Sequence, residues 1–132
     1  MPLVYIIVLN YNNWLDTIEC LESLKKLDYN NFKVVLIDNN STDDSCFKLS
    51  DYLSNKQTVQ ELNLTFIRSE SNHGYAHGNN IGLKIALNDQ GFKYAWVLNN
   101  DTTVEKDSLK HLVEYFNLKR SSGNKLGLLG SK

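Results

Sequence analysis

Three short polar runs hold most of the side chains in this sequence that can do chemistry: Asn10-Tyr11-Asn12-Asn13, Asp38 to Asp44, and Asn99-Asn100-Asp101-Thr102-Thr103. Asp101 offers a hard oxygen ligand to magnesium or manganese. A single carboxylate suffices for such an ion when water and the phosphates of a ligand fill its other positions. Tyr11 supplies an aromatic face for a nucleobase, and Asp38 an acceptor for a base imide N–H. Each has a plainer reading. Asn, Asp, Ser and Thr make turns and helix caps in any α/β protein, and a tyrosine at a strand end packs. It is the recurrence of the pattern at three strand ends that favours a ligand site.

A fourth run, Asn72 to Gly82, carries Gly74, Gly78 and Gly82 at intervals of four. That spacing matches neither the dinucleotide fingerprint nor the phosphate loop of nucleoside triphosphatases. Glycines here permit unusual backbone angles and close approach to a ligand, and amides at the start of a following helix can face an anion. Helix packing and a tight turn account for them as well. His73 and His77 have the spacing of a zinc pair on a helix, but Gly74 and Gly78 argue against a regular helix there, so they read as loop histidines. His111, among Leu109, Leu112 and Val113, needs no role.

The elements that must position these runs alternate. Val4 to Asn10 and Phe32 to Ile37 are near-continuous apolar runs of strand length, suited to buried parallel strands. Between them Trp14 to Lys26 places Leu15, Ile18, Leu21 and Leu24 at helical spacing. Ser41 followed by Asp44 resembles a capping box for a second helix carrying Cys46, Leu49 and Leu53. Leu62 to Ile67 alternates as a third strand. A helix near Asn79 to Asn88 with Ile81, Ile85 and Leu87, a strand Tyr94 to Leu98, a helix Lys106 to Leu118 and a strand Leu126 to Leu129 complete the series. The fold class expected is α/β, a Rossmann-like open, mainly parallel sheet with helices on both faces. In the common strand order 3-2-1-4 the reversal lies between the first and fourth strands, and ligands bind outside the carboxyl ends there. The runs after strands one, two and four meet at that crevice.

Composition bounds the partners. With 132 residues, 42% hydrophobic, a net charge of −1 and an isoelectric point near 6.3, one globular domain is expected and no nucleic acid partner. Leu3 to Leu9 is only seven apolar residues with no basic segment before it, so it reads as a strand rather than a leader. No stretch approaches the roughly 18 apolar residues of a membrane span, and a cytoplasmic location is expected, with peripheral attachment to the inner face of a membrane as an option for a longer chain. Cys20 and Cys46 lack metal-ligand spacing.

Taken in order, Ile6 to Asn12, Val35 to Asp43, Asn72 to Gly82 and Val97 to Thr102 resemble the family 2 glycosyltransferases of GT-A fold, over nearly the whole chain. The form Leu98-Asn99-Asn100-Asp101-Thr102 is similar to the branch containing many bacterial rhamnosyltransferases and cell-surface polysaccharide enzymes. The resemblance implies an inverting transfer of a sugar from a UDP- or dTDP-sugar donor to a saccharide or lipid-linked acceptor. It also implies a divalent metal, Mn or Mg, on Asp101, and a nucleotide-sugar site formed by Tyr11, Asn13, Asp38, Asn40, Asn72, Gly74, Asn80, Asn99 and Asn100. Asn99 departs from the family's Asp-x-Asp motif, which removes a charge from the metal site.

The same resemblance places the catalytic base in a later, acceptor-binding half, and no residue here matches it. The chain is therefore expected to be a donor-binding domain over residues 1–132 that transfers sugar poorly alone, with a homodimer possible through sheet surface left uncovered. The rival reading is a non-catalytic nucleotide-sugar-binding or assembly module of the same fold. A receiver domain would need an acidic pair after strand one, where Asn10 and Tyr11 stand. A sugar-1-phosphate nucleotidyltransferase would need a glycine- and arginine-rich loop there.

Overall fold

The computed structural model describes residues 1–121 and 128–130. In chain order the elements are β1 (Leu3–Asn10), α1 (Trp14–Leu24), β2 (Phe32–Asp38), α2 (Ser45–Tyr52), α3 (Lys56–Leu62), β3 (Leu64–Arg68), α4 (Tyr75–Leu87), β4 (Phe92–Asn99), α5 (Ser108–Ser121) and β5 (Leu128–Gly130). The five strands form one parallel sheet in the order β3-β2-β1-β4-β5. The expected α/β class and the reversal between β1 and β4 are both present. Of the expected last strand, residues 126 and 127 lie outside the described residues.

Alternation of side chains splits β1 between two cores. Val4, Ile6 and Val8 pack with Leu21 and Leu24 of α1, Leu49 of α2, Leu62 of α3 and Leu109, Val113 and Phe116 of α5. Tyr5, Ile7 and Leu9 face the other way, onto α4 through Ala86 with Ile81, Leu83 and Ile85 beside it. Four helices thus cover one face and α4 covers the other. Ile6 and Ile7 are fully buried, and each is worth about 1.5–3 kcal/mol on that account.

The helices differ from the sequence expectation in instructive ways. Leu15 is 58% exposed, and the buried stripe of α1 runs instead through Thr17, Cys20, Leu21 and Leu24. No Ser41–Asp44 capping box forms: Ser41 is drawn inward by Asp38, and Asp43 Oδ1 accepts from Ser45 N at 2.8 Å. Helix α3 was not foreseen, because its seven residues bury only Thr58 and Leu62. Asn55 caps its start by accepting from Gln57 N and Thr58 N, and Asn63 ends it in the left-handed region at φ 44°. Leu62 therefore closes a helix and does not open a strand.

Helix α4 begins at Tyr75, four residues earlier than expected, and Leu87 at its end is 69% exposed. Gly74 turns the chain in at φ 96°. Gly78 and Gly82 then sit on the face of the helix pressed against β1. A Cβ at Gly78 would lie 2.5 Å from Leu9 Cδ1, and one at Gly82 would lie 2.8 Å from Ile7 Cγ2. These glycines are therefore helix-packing residues and not loop residues.

At the sheet edge remote from the polar runs, Asp89 Oδ2 accepts from Tyr5 OH at 2.6 Å and from Lys33 Nζ at 3.0 Å, while Oδ1 accepts from Gly91 N at 3.0 Å. The Tyr5 hydroxyl, then Lys33 and the Gly91 amide, hold the Asp89 carboxyl at about 2. Burial, followed by Asp89, pushes the Tyr5 phenol up to about 12.

Two outcomes are expected. The folded-state value of Asp89 lies below its ordinary 3.8, so its stabilisation is complete above that pH and vanishes as pH falls through about 2. Asp89→Asn should lower the urea midpoint at pH 7 and converge on the unaltered protein near pH 2. A gap independent of pH would contradict the assignment. Gly82→Ala gains about 1 kcal/mol of helix propensity but meets a fully buried side chain stiff at χ1, an overpacking cost of about 1–3 kcal/mol. A net loss is expected in denaturant titration, larger than for Gly78→Ala, whose first contact is the movable end of Leu9.

Candidate functional site

Strands β1, β2 and β4 end level, with Asn10 opposite Asp38 and Leu9 opposite Asn99. The loops that follow consequently open on one edge, at the reversal of the sheet. What joins them is a chain of buried hydrogen bonds. Asp38 is 0% exposed. Its Oδ1 accepts from Asn10 Nδ2 at 2.9 Å and Ser41 Oγ at 2.6 Å, and its Oδ2 accepts from Ser41 N at 3.0 Å. Arg68 Nε stands 3.9 Å away. Asn10 Oδ1 accepts from Thr17 Oγ1 at 2.7 Å, and that hydroxyl accepts from Asn100 Nδ2 at 3.0 Å. The chain Asn100 to Thr17 to Asn10 to Asp38 therefore runs from the β4 loop through α1 and β1 to the β2 loop.

Asn12 makes a second tie. At φ 52° its side chain donates to Thr42 Oγ1 at 3.0 Å and accepts from Thr42 N and Asp43 N, and its backbone N donates to Ser41 Oγ at 2.9 Å. Asparagine is among the side chains that tolerate this left-handed region, and Asn40 at φ 59° is another instance. A third tie comes from α4. Tyr75 OH donates to Asn99 Oδ1 at 2.8 Å, and Asn39 Nδ2 donates to Asn72 Oδ1 at 3.0 Å.

Of the residues singled out from sequence, Tyr11, Asn13, Asp38, Asn40, Asn72, Gly74, Asn99, Asn100 and Asp101 gather at this edge. Several are committed inward. Asp38 cannot accept from a base imide, because it is closed off from solvent and already carries three hydrogen bonds. Asn13 Nδ2 donates to Asp16 Oδ2 at 3.0 Å. Asn100 Nδ2 is turned down onto Thr17. Asn72 Oδ1 accepts from Gly74 N at 3.0 Å and shapes the start of α4. Asn80 does not join the cluster: it lies with His77, Lys84 and Leu87 along a groove of about 280 Å³ on the outer flank of α4.

The open groups are Tyr11, 44% exposed, and Asp101. Thr102 N donates to Asn99 O at 3.1 Å, which makes residues 99–102 a β-turn with Asn100 and Asp101 at its centre. Among the described residues no hydrogen bond or ion pair of Asp101 is found, and no group of three His, Cys, Asp or Glu side chains could hold a metal. That arrangement fits an ion held by one carboxylate together with ligand phosphates, and does not fit a zinc cage. Burial, and after it the Asp101 charge, pushes the Cys20 thiol up to about 12. The rings of His73 and His77 lie 5.1 Å apart and edge to face at 85°, a poor disposition for two lone pairs aimed at one ion.

Sequence reasoning passed over four residues here. Asn39 has its Oδ1 buried without a partner, as does Asn79 on the first turns of α4. Buried acceptors left open are rare, but nothing in an asparagine-rich run marks which amide is the open one. Thr17 and Tyr75, the other two, carry no mark in the sequence of the hydrogen bonds they make.

Comparison with known proteins agrees with this geometry. GlyG, a glycosyltransferase of Streptococcus pneumoniae serotype 4 (strain ATCC BAA-334 / TIGR4), is 24% identical over 135 residues, 92% of this chain and 42% of its own length. Residues 1–349 of S. aureus TarS, solved in complex with UDP-GlcNAc, superpose with a TM-score of 0.71 at 26% identity over 89% of this chain and 32% of that one. A mannosyltransferase, PcManGT from Pyrobaculum calidifontis, solved with GDP-Man and Mn2+, shares the fold with a TM-score of 0.73 at 24% identity, over 87% of this chain and 32% of that one. The chain thus spans about two fifths of the curated relative it matches and about a third of the solved ones. The glycosyl transferase family 2 model matches residues 5–125, and the chain belongs to that family.

Proposed function

We propose that this chain is the donor-binding part of an inverting glycosyltransferase that moves a sugar from a UDP- or dTDP-sugar to a hydroxyl of a saccharide or lipid-linked acceptor, in the making of cell-surface polysaccharide. The observation that carries this reading is the hydrogen-bonded union of three strand-end loops at the sheet reversal, which presents Tyr11 and Asp101 on one edge. Tyr11 lies against the nucleobase.

Asp101 and the diphosphate would share a manganese or magnesium ion, which offsets the charge growing on the leaving group as the bond from the anomeric carbon to the diphosphate oxygen breaks. The first-turn amides of α4 face the same charge. Asn99, neutral and held by Tyr75, adds no charge to the metal site, so the phosphates contribute most of the ion's binding. The acceptor hydroxyl must lose a proton as it attacks. Asp38 is committed and Asp101 is assigned to the metal, so the base is supplied from outside this cluster. The TarS complex with UDP-GlcNAc supports the donor class.

Titration calorimetry of UDP and UDP-sugars with and without Mn2+ tests this. Manganese should tighten UDP binding about tenfold or more, a gain of about 1.4 kcal/mol, and Asp101→Ala should abolish the gain while leaving metal-free binding unchanged. Tyr11→Ala should weaken binding about tenfold in both conditions, as loss of one base-stacking face does. Absence of UDP and dTDP binding under all conditions would refute the proposal. Donor binding without any metal effect would favour a non-catalytic binding module.

A further inference from the structure

The hydrogen bonds of Thr17 have a sense that the rest of the cluster imposes. Asp38 Oδ1 accepts from the NH2 of Asn10 at 2.9 Å, since the amide carbonyl turned that way would set two acceptors face to face. That leaves Asn10 Oδ1 toward α1, where only a donor satisfies it, and the Thr17 hydroxyl directs its one hydrogen there at 2.7 Å, with Asn13 O as the more distant acceptor at 3.1 Å. The same oxygen has lone pairs left, and Asn100 Nδ2 donates to it at 3.0 Å and to Asn13 O at 3.4 Å. Asn100 occupies the position before Asp101 in the turn closed by Thr102 N and Asn99 O. Thr17 itself is fully buried, four residues into α1. The chain is short and directional, and its Thr17–Asn10–Asp38 part is shielded from water, conditions under which hydrogen bonds polarise one another.

We propose that Thr17 is a positioning residue for the metal-bearing turn: its hydroxyl, donor to Asn10 and acceptor from Asn100, fixes the turn that aims Asp101 at the diphosphate. This rests on the assignment of Asp101 to the metal. Asn10 keeps its bonds to Asp38 and Ser41 without Thr17, so the nucleobase side of the crevice survives loss of the hydroxyl. The turn loses a side-chain anchor. Tyr75, bonded to Asn99, holds the other side of the same turn but grips the residue two before Asp101. Valine at position 17 keeps the shape of threonine and can neither donate nor accept. Serine keeps both functions.

The test measures UDP dissociation constants for the 132-residue chain with and without Mn2+ and takes their ratio. Thr17→Val should reduce the manganese gain about two- to tenfold, the equivalent of one hydrogen bond, with metal-free UDP affinity within about twofold of the unaltered chain. Thr17→Ser should restore the gain. Should valine prevent folding, Asn100→Ala removes the same bond from the exposed side and must show the same loss. The inference is overturned by a full manganese gain in Thr17→Val or Asn100→Ala, by equal losses in the valine and serine variants, or by a parallel fall in metal-free binding. An unaltered chain with no manganese gain removes the metal assignment and this inference together, whereas a gain that survives Thr17→Val removes the inference alone.

Discussion

A carboxylate without access to water sets the terms for everything around it. Asp38 has 0% exposure, and its carboxylate is held by three donors with the Arg68 guanidinium 3.9 Å beyond them. A buried ion without such partners would cost several kcal/mol. The requirement for donors propagates outward. It fixes which way the Asn10 amide points, hence that Thr17 donates, hence that Asn100 does too. Three loops that are remote in sequence thereby acquire one geometry, and the crevice is built before any ligand arrives.

Asparagine suits this work for a physical reason. Each side-chain amide offers both a donor and an acceptor, so a chain of them can relay direction without adding charge that would have to be desolvated. Left-handed backbone at Asn12, Asn40 and Asn63 uses a second property of the same residue. The conspicuous exposed acid on the crevice, Asp101, is then distinguished by being left out of the network.

Much of the fold was legible in the sequence. The apolar runs of β1 and β2 and the polar runs at their ends predicted the parallel sheet, its reversal and the edge on which ligand chemistry would sit. What escaped has common causes. Helix α3 buries too little apolar surface to show a period, and Leu62 closes it while serving the same core that a strand residue would. Gly78 argued against a regular helix, when in fact the missing side chains of Gly78 and Gly82 make room for Leu9 and Ile7. Within the site, the sequence marked the runs but not the division of labour inside them. Whether Asp38 or Asn39 stays open, and whether Asn79 or Asn80 is buried, depends on the direction of a side chain at a loop or helix position. No local pattern records that direction.

Helix α4 meets the sheet through Gly78, Gly82 and Ala86, with Ile81, Leu83 and Ile85 packed beside them. The two missing side chains bring its backbone close enough to β1 that Leu9 and Ile7 fill the space a Cβ would take. Tyr75, on the first turn of that helix, is thereby held at a set height over Asn99. The crevice has two walls seated independently, one through Thr17 and Asn100 and the other through bare backbone, so a bulkier residue at either glycine would lift the second wall and leave the first in place.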